Sequence, residues 1–309
     1  MTIVTSVTVR APAKLNLQLA VGPPRADGYH DLVTVFHAVS LFDEVTAETA
    51  GRDRVTVSGE GADRVPADGD NLALRAVAAL RAAVPDAPRV HITIAKRIPV
   101  AAGLAGGSGD AAAALVACNE LWAGGLGPPQ LAEIAARVGS DVAFALLGGT
   151  AVGRGRGERL TPALAPATQY HWVLAFADGQ LSTPEVYAAL DRQRARAGEP
   201  VPADPDLDPA LMSALRSGDA RLVGRALSND LQPAALSLFP ALRKTLAAGL
   251  ELGALGALVS GSGPTCAFLA ASADRALDLA ASLSGAGVCR SVARASGPAP
   301  GAAVVTAAR

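Results

Sequence analysis

The sequence predicts an α/β (α+β) protein in two domains, and three observations carry that expectation. At 309 residues the chain is long enough to fill two cores of about 150 residues each. A strand-like run, Val90-His91-Ile92-Thr93-Ile94, feeds a loop of small residues and then an alanine-rich helical run, Ala111 to Trp122. Last, the breaker-rich stretch Pro162–Pro166 parts a strand-dominated first half from a second half that alternates apolar strands with helices. The expected division is 1–162 and 163–309.

Each element has its own signal. In the first half, alternating and β-branched residues predict strands at Val4–Val9, Lys14–Ala20, Leu32–Val39, Glu44–Ala47, Val55–Ser58 and Arg89–Ala95. Asp27-Gly28 marks a turn between the second and third of these. A helix is expected over Leu72–Ala83, and Pro128-Pro129 opens another over Pro129–Val138. Gly148-Gly149-Thr150 then turns into a strand, Ala151–Gly153, with Gly153–Gly157 forming a hairpin-like loop. The second half begins with the apolar strand His171–Ala177 and a helix over Pro184–Arg194, followed by an exposed loop, Ala195–Pro209. Helices are expected at Ala210–Arg216, Ala220–Leu227 and Ala234–Leu250. Leu252–Ala273 carries no charge and is long enough to cross a bilayer, but Gly253, Gly256, Gly261, Gly263 and Pro264 interrupt it. It therefore reads as two buried strands, Ala257–Ser260 and Cys266–Ala270, around a glycine turn. A helix over Arg275–Leu283 and a strand over Val288–Arg294 follow, and the last dozen small residues are expected to be loose.

Composition narrows the function. The net charge of −1 leaves no global electrostatic footprint for nucleic acid or an anionic membrane. Cys118, Cys266 and Cys289 form no C-x-x-C pair, and the four histidines are scattered, which argues against a disulfide framework or a zinc site. The N-terminus lacks the charged and apolar regions of a signal peptide, so a cytoplasmic enzyme is expected.

The chemistry concentrates in a few segments. Pro99-Val100-Ala101-Ala102-Gly103-Leu104-Ala105-Gly106-Gly107-Ser108-Gly109 lies between a strand and a helix start, where backbone N–H groups and the helix dipole suit a polyphosphate. It is not a P-loop, because no lysine follows its glycines. Arginine outnumbers lysine 24 to 3, so Lys14, Lys96 and Lys244 stand out as compact point charges in an arginine-using chain. Lys14, Asn16 and Gln18 share one face of an alternating strand, opposite Leu15, Leu17 and Leu19; this is either a solvated face or a polar patch with work to do. Tyr29, one of three tyrosines, stands beside His30, and an aromatic ring with an imidazole could hold a heterocycle. Asp141 in Gly139-Ser140-Asp141-Val142 either caps a helix or serves chemically.

Taken in order, Ala11-Pro12-Ala13-Lys14, Pro99–Ser108 and Ser260-Gly261-Ser262-Gly263-Pro264 resemble the GHMP kinase superfamily of small-molecule kinases. The block Arg25-x-Asp27-Gly28-Tyr29-His30 together with the lysine strand narrows the resemblance, which runs from about Val7 to Arg294. It implies a ribosomal-protein-S5-like N-terminal domain, a ferredoxin-like C-terminal domain and an active site in the cleft between them. It implies ATP and Mg²⁺ as cofactors and phosphorylation of the 2-hydroxyl of 4-diphosphocytidyl-2-C-methyl-D-erythritol, a step toward isoprenoid precursors. By that likeness Lys14 and Asp141 face the hydroxyl, and Pro99 to Gly109 cradle ATP with Gly106, Gly107 and Ser108 nearest the phosphates. Ser108 is the metal candidate. Tyr29 and Tyr187 sandwich the cytosine, His30 bonds its edge, and Asn16 and Thr183 meet polar groups of the substrate. The chain departs from the pattern where Ala101, Ala102 and Ala105 replace glycine and Asp110 replaces asparagine. Alanine disfavours positive φ, so Ala105 is expected in a right-handed or extended conformation. Asp110 would repel a triphosphate unless it caps the helix or meets the metal. A homoserine, mevalonate or sugar kinase, which has no use for Tyr29, His30 and Tyr187, and a non-catalytic nucleotide sensor are the alternatives.

Overall fold

The computed structural model describes residues 5–166, 168–198 and 200–308. Val4 of the expected strand Val4–Val9 lies outside these, as do Met1–Ile3 of the stretch compared with a signal peptide and Glu199 of the expected loop. In chain order the first half runs β1 (Ser6–Pro24), β2 (His30–Thr49), β3 (Arg54–Gly59), α1 (Leu72–Arg81), β4 (Val90–Lys96), α2 (Gly106–Leu121), α3 (Pro128–Val138), α4 (Ser140–Leu147), β5 (Thr150–Gly155) and β6 (Arg159–Pro162). The second half adds β7 (Tyr170–Phe176), α5 (Thr183–Ala197), α6 (Pro209–Ser217), α7 (Ala220–Arg225), the two-residue β8 (Ser228–Asn229), α8 (Gln232–Leu238) and α9 (Ala241–Glu251). It closes with β9 (Gly256–Val259), β10 (Cys266–Ala270), α10 (Ala273–Gly285), β11 (Ser291–Gly297) and β12 (Ala303–Ala308).

Two sheets organise these elements. The first has the order β12-β1-β2-β4-β3, with β5 and β6 branching from β2 and β8 lying parallel on β1. The second is antiparallel, in the order β11-β7-β10-β9. The expected strands Val4–Val9 and Lys14–Ala20 fuse into β1, because the chain stays extended through Pro12 and absorbs the proline's missing donor in a register shift between Pro12 and Ala13. Leu32–Val39 and Glu44–Ala47 likewise fuse into β2. This long hairpin serves two cores. Its outer half (Val7, Val9, Val45, Ala47) packs with Leu80, Ile92 and Leu115 beneath the helices α1–α4. Its inner half (Leu15, Leu17, Val35, Val39) packs with Trp172, Leu174 and Leu269 of the second sheet. Each fully buried leucine contributes about 1.5–3 kcal/mol, so the junction between the sheets is core rather than a loose hinge.

Four expectations need correction. Helix α2 begins at Gly106, not Ala111, so the last glycines of the loop form its first turn; glycine's poor helix propensity hid this from the sequence. Asp141, read as a possible helix cap, instead lies inside the first turn of α4, whose cap position is Gly139. The single helix Ala234–Leu250 is two, broken at Phe239-Pro240, where proline supplies no N–H and pushes Phe239 out of the helical region. Of the end expected to be loose, Arg309 lies outside the described residues and Ala303–Ala308 is ordered: β12 pairs along β1 from Ser6 to Arg10, carrying the chain back to the first sheet across the division at 162/163. The stretch Leu252–Ala273 is two strands around a turn, as its glycines predict. Among the described residues, no helix is long and apolar enough to cross a membrane.

Candidate active site

The site is a cleft of about 980 Å³ between the two sheets, lined by residues of β1, β2, the loop before α2, α4, the β5–β6 turn, the start of α5 and the glycine turn between β9 and β10. Lys14 stands on its floor, buried. Its Nζ donates to Asn16 Oδ1 (2.6 Å), and Asn16 Nδ2 donates to Thr34 Oγ1 (2.8 Å), which in turn donates to the Gln18 carbonyl (2.7 Å). Asp141 Oδ2 lies 3.9 Å from Lys14 Nζ. Burial pushes the Lys14 pKa below its ordinary value, and the Asp141 charge draws it partly back. The solvated-face alternative for the lysine strand therefore fails: Lys14, Asn16 and Gln18 are 7%, 3% and 4% exposed. Nor does Gln18 share the face of the other two. A register shift between Asn16 and Gln18 makes Leu17 the extra residue, so Leu19 lines the cleft while Gln18 binds the backbone of Asp206 and Asp208.

The loop before α2 closes one end. Ala105 caps the helix in the left-handed region (φ 57, ψ 33), with no side chain bonded to the helix's first N–H groups. Those donors, at Gly106, Gly107 and Ser108, border the cleft. The expectation for Ala105 is thus overturned, and Ala101 is left-handed too (φ 56). The loop keeps its shape at a cost of about 1–2 kcal/mol for each such alanine. Ser260 Oγ donates to the Gly103 carbonyl (3.1 Å), and the Lys14 N–H donates to the Leu104 carbonyl (3.1 Å), so the loop is pinned to both sheets. The glycine turn comes equally close. A Cβ at Gly261 (φ +55) would sit 3.3 Å from Lys14 Nζ.

Asp110 neither caps the helix nor stands free. Lys96 Nζ donates to Asp110 Oδ2 (2.7 Å) and to Asp43 Oδ2, while Asp43 Oδ1 accepts from the N–H groups of Arg97 (2.6 Å) and Ile98 (2.8 Å). All three side chains are buried, and Lys96 and Asp110 border the cleft. Burial pushes Asp110 up to about 7, against the pull of Lys96. Burial alone would push Lys96 down, but the charges of Asp110 and Asp43 outweigh it and hold its pKa above the ordinary value. This triad is the part of the site that sequence reasoning missed. Its signals were the rarity of lysine, which also marked the exposed Lys244, and the departure at Asp110; neither paired the two residues or pointed to Asp43.

At the other end, His30 Nε2 is 3.0 Å from Asp191 Oδ1, and its ring centroid lies 5.0 Å from that of Tyr187. Burial and, second, the Asp141 charge push the Tyr187 hydroxyl pKa up. Thr183 and Ser262 share a hydroxyl hydrogen bond of 2.8 Å, tying α5 to the glycine turn. Of the expected residues, Lys14, Asn16, Asp141, Thr183, Tyr187 and Ser108 all line this one cleft, as do Pro99 to Gly103 and Ala105 to Gly107. Leu104 is buried in the core instead, Gly109 lies inside α2, and His30 is buried behind Tyr187. Tyr29 is not in the wall. It stands 54% exposed on the β1–β2 turn, its ring under the guanidinium of Arg156 at 4.8 Å, and Arg156 does line the cleft.

Sequence comparison matches residues 71–149 to the N-terminal domain of GHMP kinases and residues 211–289 to their C-terminal domain. The 4-diphosphocytidyl-2-C-methyl-D-erythritol kinase of Thermobifida fusca is 58% identical, covering 97% of this chain and 99% of its own. That of Streptomyces avermitilis is 55% identical over 97% and 100%. A crystal structure of 4-(cytidine 5′-diphospho)-2C-methyl-D-erythritol kinase superposes with a TM-score of 0.75 at 34% identity, covering 94% of this chain and 98% of that one. A homoserine kinase from Cytophaga hutchinsonii shares the fold at 20% identity, with a TM-score of 0.74. With a lysine–aspartate pair facing an uncapped helix N-terminus across two GHMP-type halves, the chain belongs to the GHMP kinase family and, within it, to the 4-diphosphocytidyl-2-C-methyl-D-erythritol kinases.

Proposed function

We propose that the protein transfers the γ-phosphoryl group of ATP to the 2-hydroxyl of 4-diphosphocytidyl-2-C-methyl-D-erythritol. The observation that carries this is the Lys14–Asp141 pair, 3.9 Å apart, in one cleft with the α2 N-terminus on one side and Tyr187 on the other. Phosphoryl transfer needs positioning and charge stabilisation more than covalent help. The free N–H groups of Gly106, Gly107 and Ser108 hold the donor's phosphates; Pro99 to Gly103 and Ala105 to Gly107 form the walls of that seat, with Leu104 and Gly109 supporting it from the core and from within α2. Asp141 orients the acceptor hydroxyl and takes its proton as transfer proceeds, a role worth about 10²–10⁴-fold. Lys14, aimed by Asn16, keeps Asp141 in place and lowers the cost of charge on the attacking oxygen. Tyr29 and Tyr187 flank the cytosine, His30, held by Asp191, meets its edge, and Thr183 contacts the substrate's polar groups.

Mg²⁺ is part of this reading, because ATP chemistry recruits it. The residues present suit it: Ser108 offers a hydroxyl at the helix start, and Asp110 Oδ1 is a buried carboxylate oxygen without a hydrogen-bond partner. Ser108 is the residue that would hold it. When bound, the ion neutralises charge on the β- and γ-phosphates. Lys96, which borders the same cleft and donates to Asp110 Oδ2, compensates its charge, so this carboxylate does not confront the triphosphate as a bare charge.

The test is ATP-dependent turnover with the cytidyl substrate, homoserine, mevalonate and galactose in parallel. Turnover of the cytidyl substrate alone supports the reading. Turnover of another acceptor refutes the cytosine site, and ATP binding without any turnover favours a sensor.

A further inference from the structure

Every cation that borders the cleft should have a partner, in the protein or in a ligand. Lys14 has Asn16 and Asp141, and Lys96 has Asp43 and Asp110. Arg64 borders the cleft on the side of the loop before α2, beside Val65, Pro66 and Asn71. Arg156 lines it on the Asp141 side, and among the described residues no carboxylate pairs with its guanidinium. Its recorded side-chain contact is the face of Tyr29.

The backbone fixes where this guanidinium works. Arg156 is at the tip of the β5–β6 turn, held by Gly155 (φ 72) and Gly157 (φ 101), while its own N–H donates to Glu158 Oε2 (2.7 Å). The neighbouring carboxylate is thereby engaged with the main chain. A Cβ on Gly157 would lie 3.3 Å from the Phe36 ring and 3.7 Å from the Ser140 Cβ, so the turn is seated on the residue next to Asp141. The backbone of Arg156 thus adjoins the transfer site, and its side chain reaches to Tyr29. Between a base at Tyr29 and a hydroxyl at Asp141 lies the middle of the acceptor, which in a nucleoside-diphosphate-linked alcohol is the diphosphate.

We propose that Arg156 binds the diphosphate of the acceptor and so determines specificity for a nucleoside-diphosphate-linked alcohol over a bare polyol. This rests on the cytidine reading above. A planar guanidinium with several donors matches phosphate oxygens, and its hold on Tyr29 places both recognition elements together before the ligand arrives.

The test compares binding of cytidine and cytidine 5′-diphosphate by calorimetry to wild-type protein, Arg156→Gln and Arg156→Lys. Wild type is expected to prefer the diphosphate by tenfold or more, a preference that shrinks as salt rises. Arg156→Gln should lose most of that preference, its affinity for the diphosphate falling several-fold more than its affinity for cytidine, and Arg156→Lys should keep part of the preference. In turnover, the KM for the cytidyl acceptor should rise about tenfold in Arg156→Gln with the KM for ATP unchanged. A Gln variant that is folded by its melting curve and retains the full wild-type preference overturns the proposal. Wild-type protein that binds neither ligand overturns the cytidine reading, and this proposal falls with it.

Discussion

Gly103 is where the phosphate loop touches the glycine turn of the second sheet, so Gly103→Ala asks whether that seam sets the chemistry. The residue has φ +76, and an added Cβ would lie 2.2 Å from the Ser260 carbonyl oxygen and 3.1 Å from the Gly263 nitrogen. Real Cβ contacts essentially never fall below 3.0 Å, so the seam must open by about 0.8 Å. Left-handed backbone adds about 1–2 kcal/mol for a residue bearing a Cβ. Loss of the hydrogen bond from Ser260 Oγ to Gly103 (3.1 Å) adds about 1 kcal/mol. Together these give a loss of about 2–3 kcal/mol in denaturant unfolding. The same displacement reaches Lys14 through its backbone bond to Leu104. A misplacement approaching 1 Å costs about 10²-fold in kcat/KM. Gly285→Ala, at the end of α10 with nothing within 4 Å of the added methyl, is the control, and it should be neutral or slightly stabilising. If Gly103→Ala unfolds within 0.5 kcal/mol of wild type (roughly the scatter of neutral surface changes) and turns over normally, the seam does not hold the site.

Asp141→Asn and Lys14→Ala should each lower turnover by about 10²–10⁴-fold with nucleotide binding retained, measured by steady-state rates and ATP-analogue titration. Lys14→Arg should fail as well, because the ammonium sits in a buried slot against Asn16, Asp141 and Gly261 that a planar guanidinium does not fit. Burial pushes the Asp110 carboxyl up to about 7 in the folded protein, above the ordinary carboxylate value of 3.8, so the folded state binds the extra proton. Its favourable contribution is present below the unfolded value and is lost as pH rises through about 7, whereas Asp110→Asn should flatten that slope in pH-dependent melts. Lys14 has the opposite sense. Its folded pKa is lowered, so the penalty for burying its charge is present at neutral pH and relieved as pH climbs toward 10.5; Lys14→Met should remove that rise in stability. Ala105→Gly should be neutral or stabilising by up to about 1 kcal/mol, since relief of the left-handed strain is offset by the added freedom of the unfolded chain.

Much of this site is local in sequence. The alternation around Lys14, the small residues before α2 and the Asp27-Gly28 turn each state their structure through short-range chemistry, and the expected turn is present with Gly28 at φ 81. What escaped is what depends on partners far along the chain. The bulge that turns Gln18 away from the cleft appears in the pairing of β1 with β2, not in the alternation of β1 itself. Ala105 looks unsuited to a left-handed position until one sees the loop pinned at Gly103 and Leu104 from two sheets. Asp110 reads as a misplaced charge because Lys96, 14 residues from it, and Asp43, 53 residues from Lys96, meet it only in the folded core. β12 looks like a frayed end, since its small uncharged residues gain their order only from the edge of β1.

Phosphorylation at the 2-hydroxyl of the cytidyl substrate has a direct signature. The direct measurement is the ³¹P NMR spectrum of the product, with ADP counted against it. The carbon bearing that hydroxyl also bears the methyl group and carries no hydrogen. One ADP per product, an intact diphosphate, and a new monoester resonance that remains a singlet without proton decoupling are expected. A monoester split by a carbinol proton, or no monoester at all, would contradict phosphorylation at that hydroxyl.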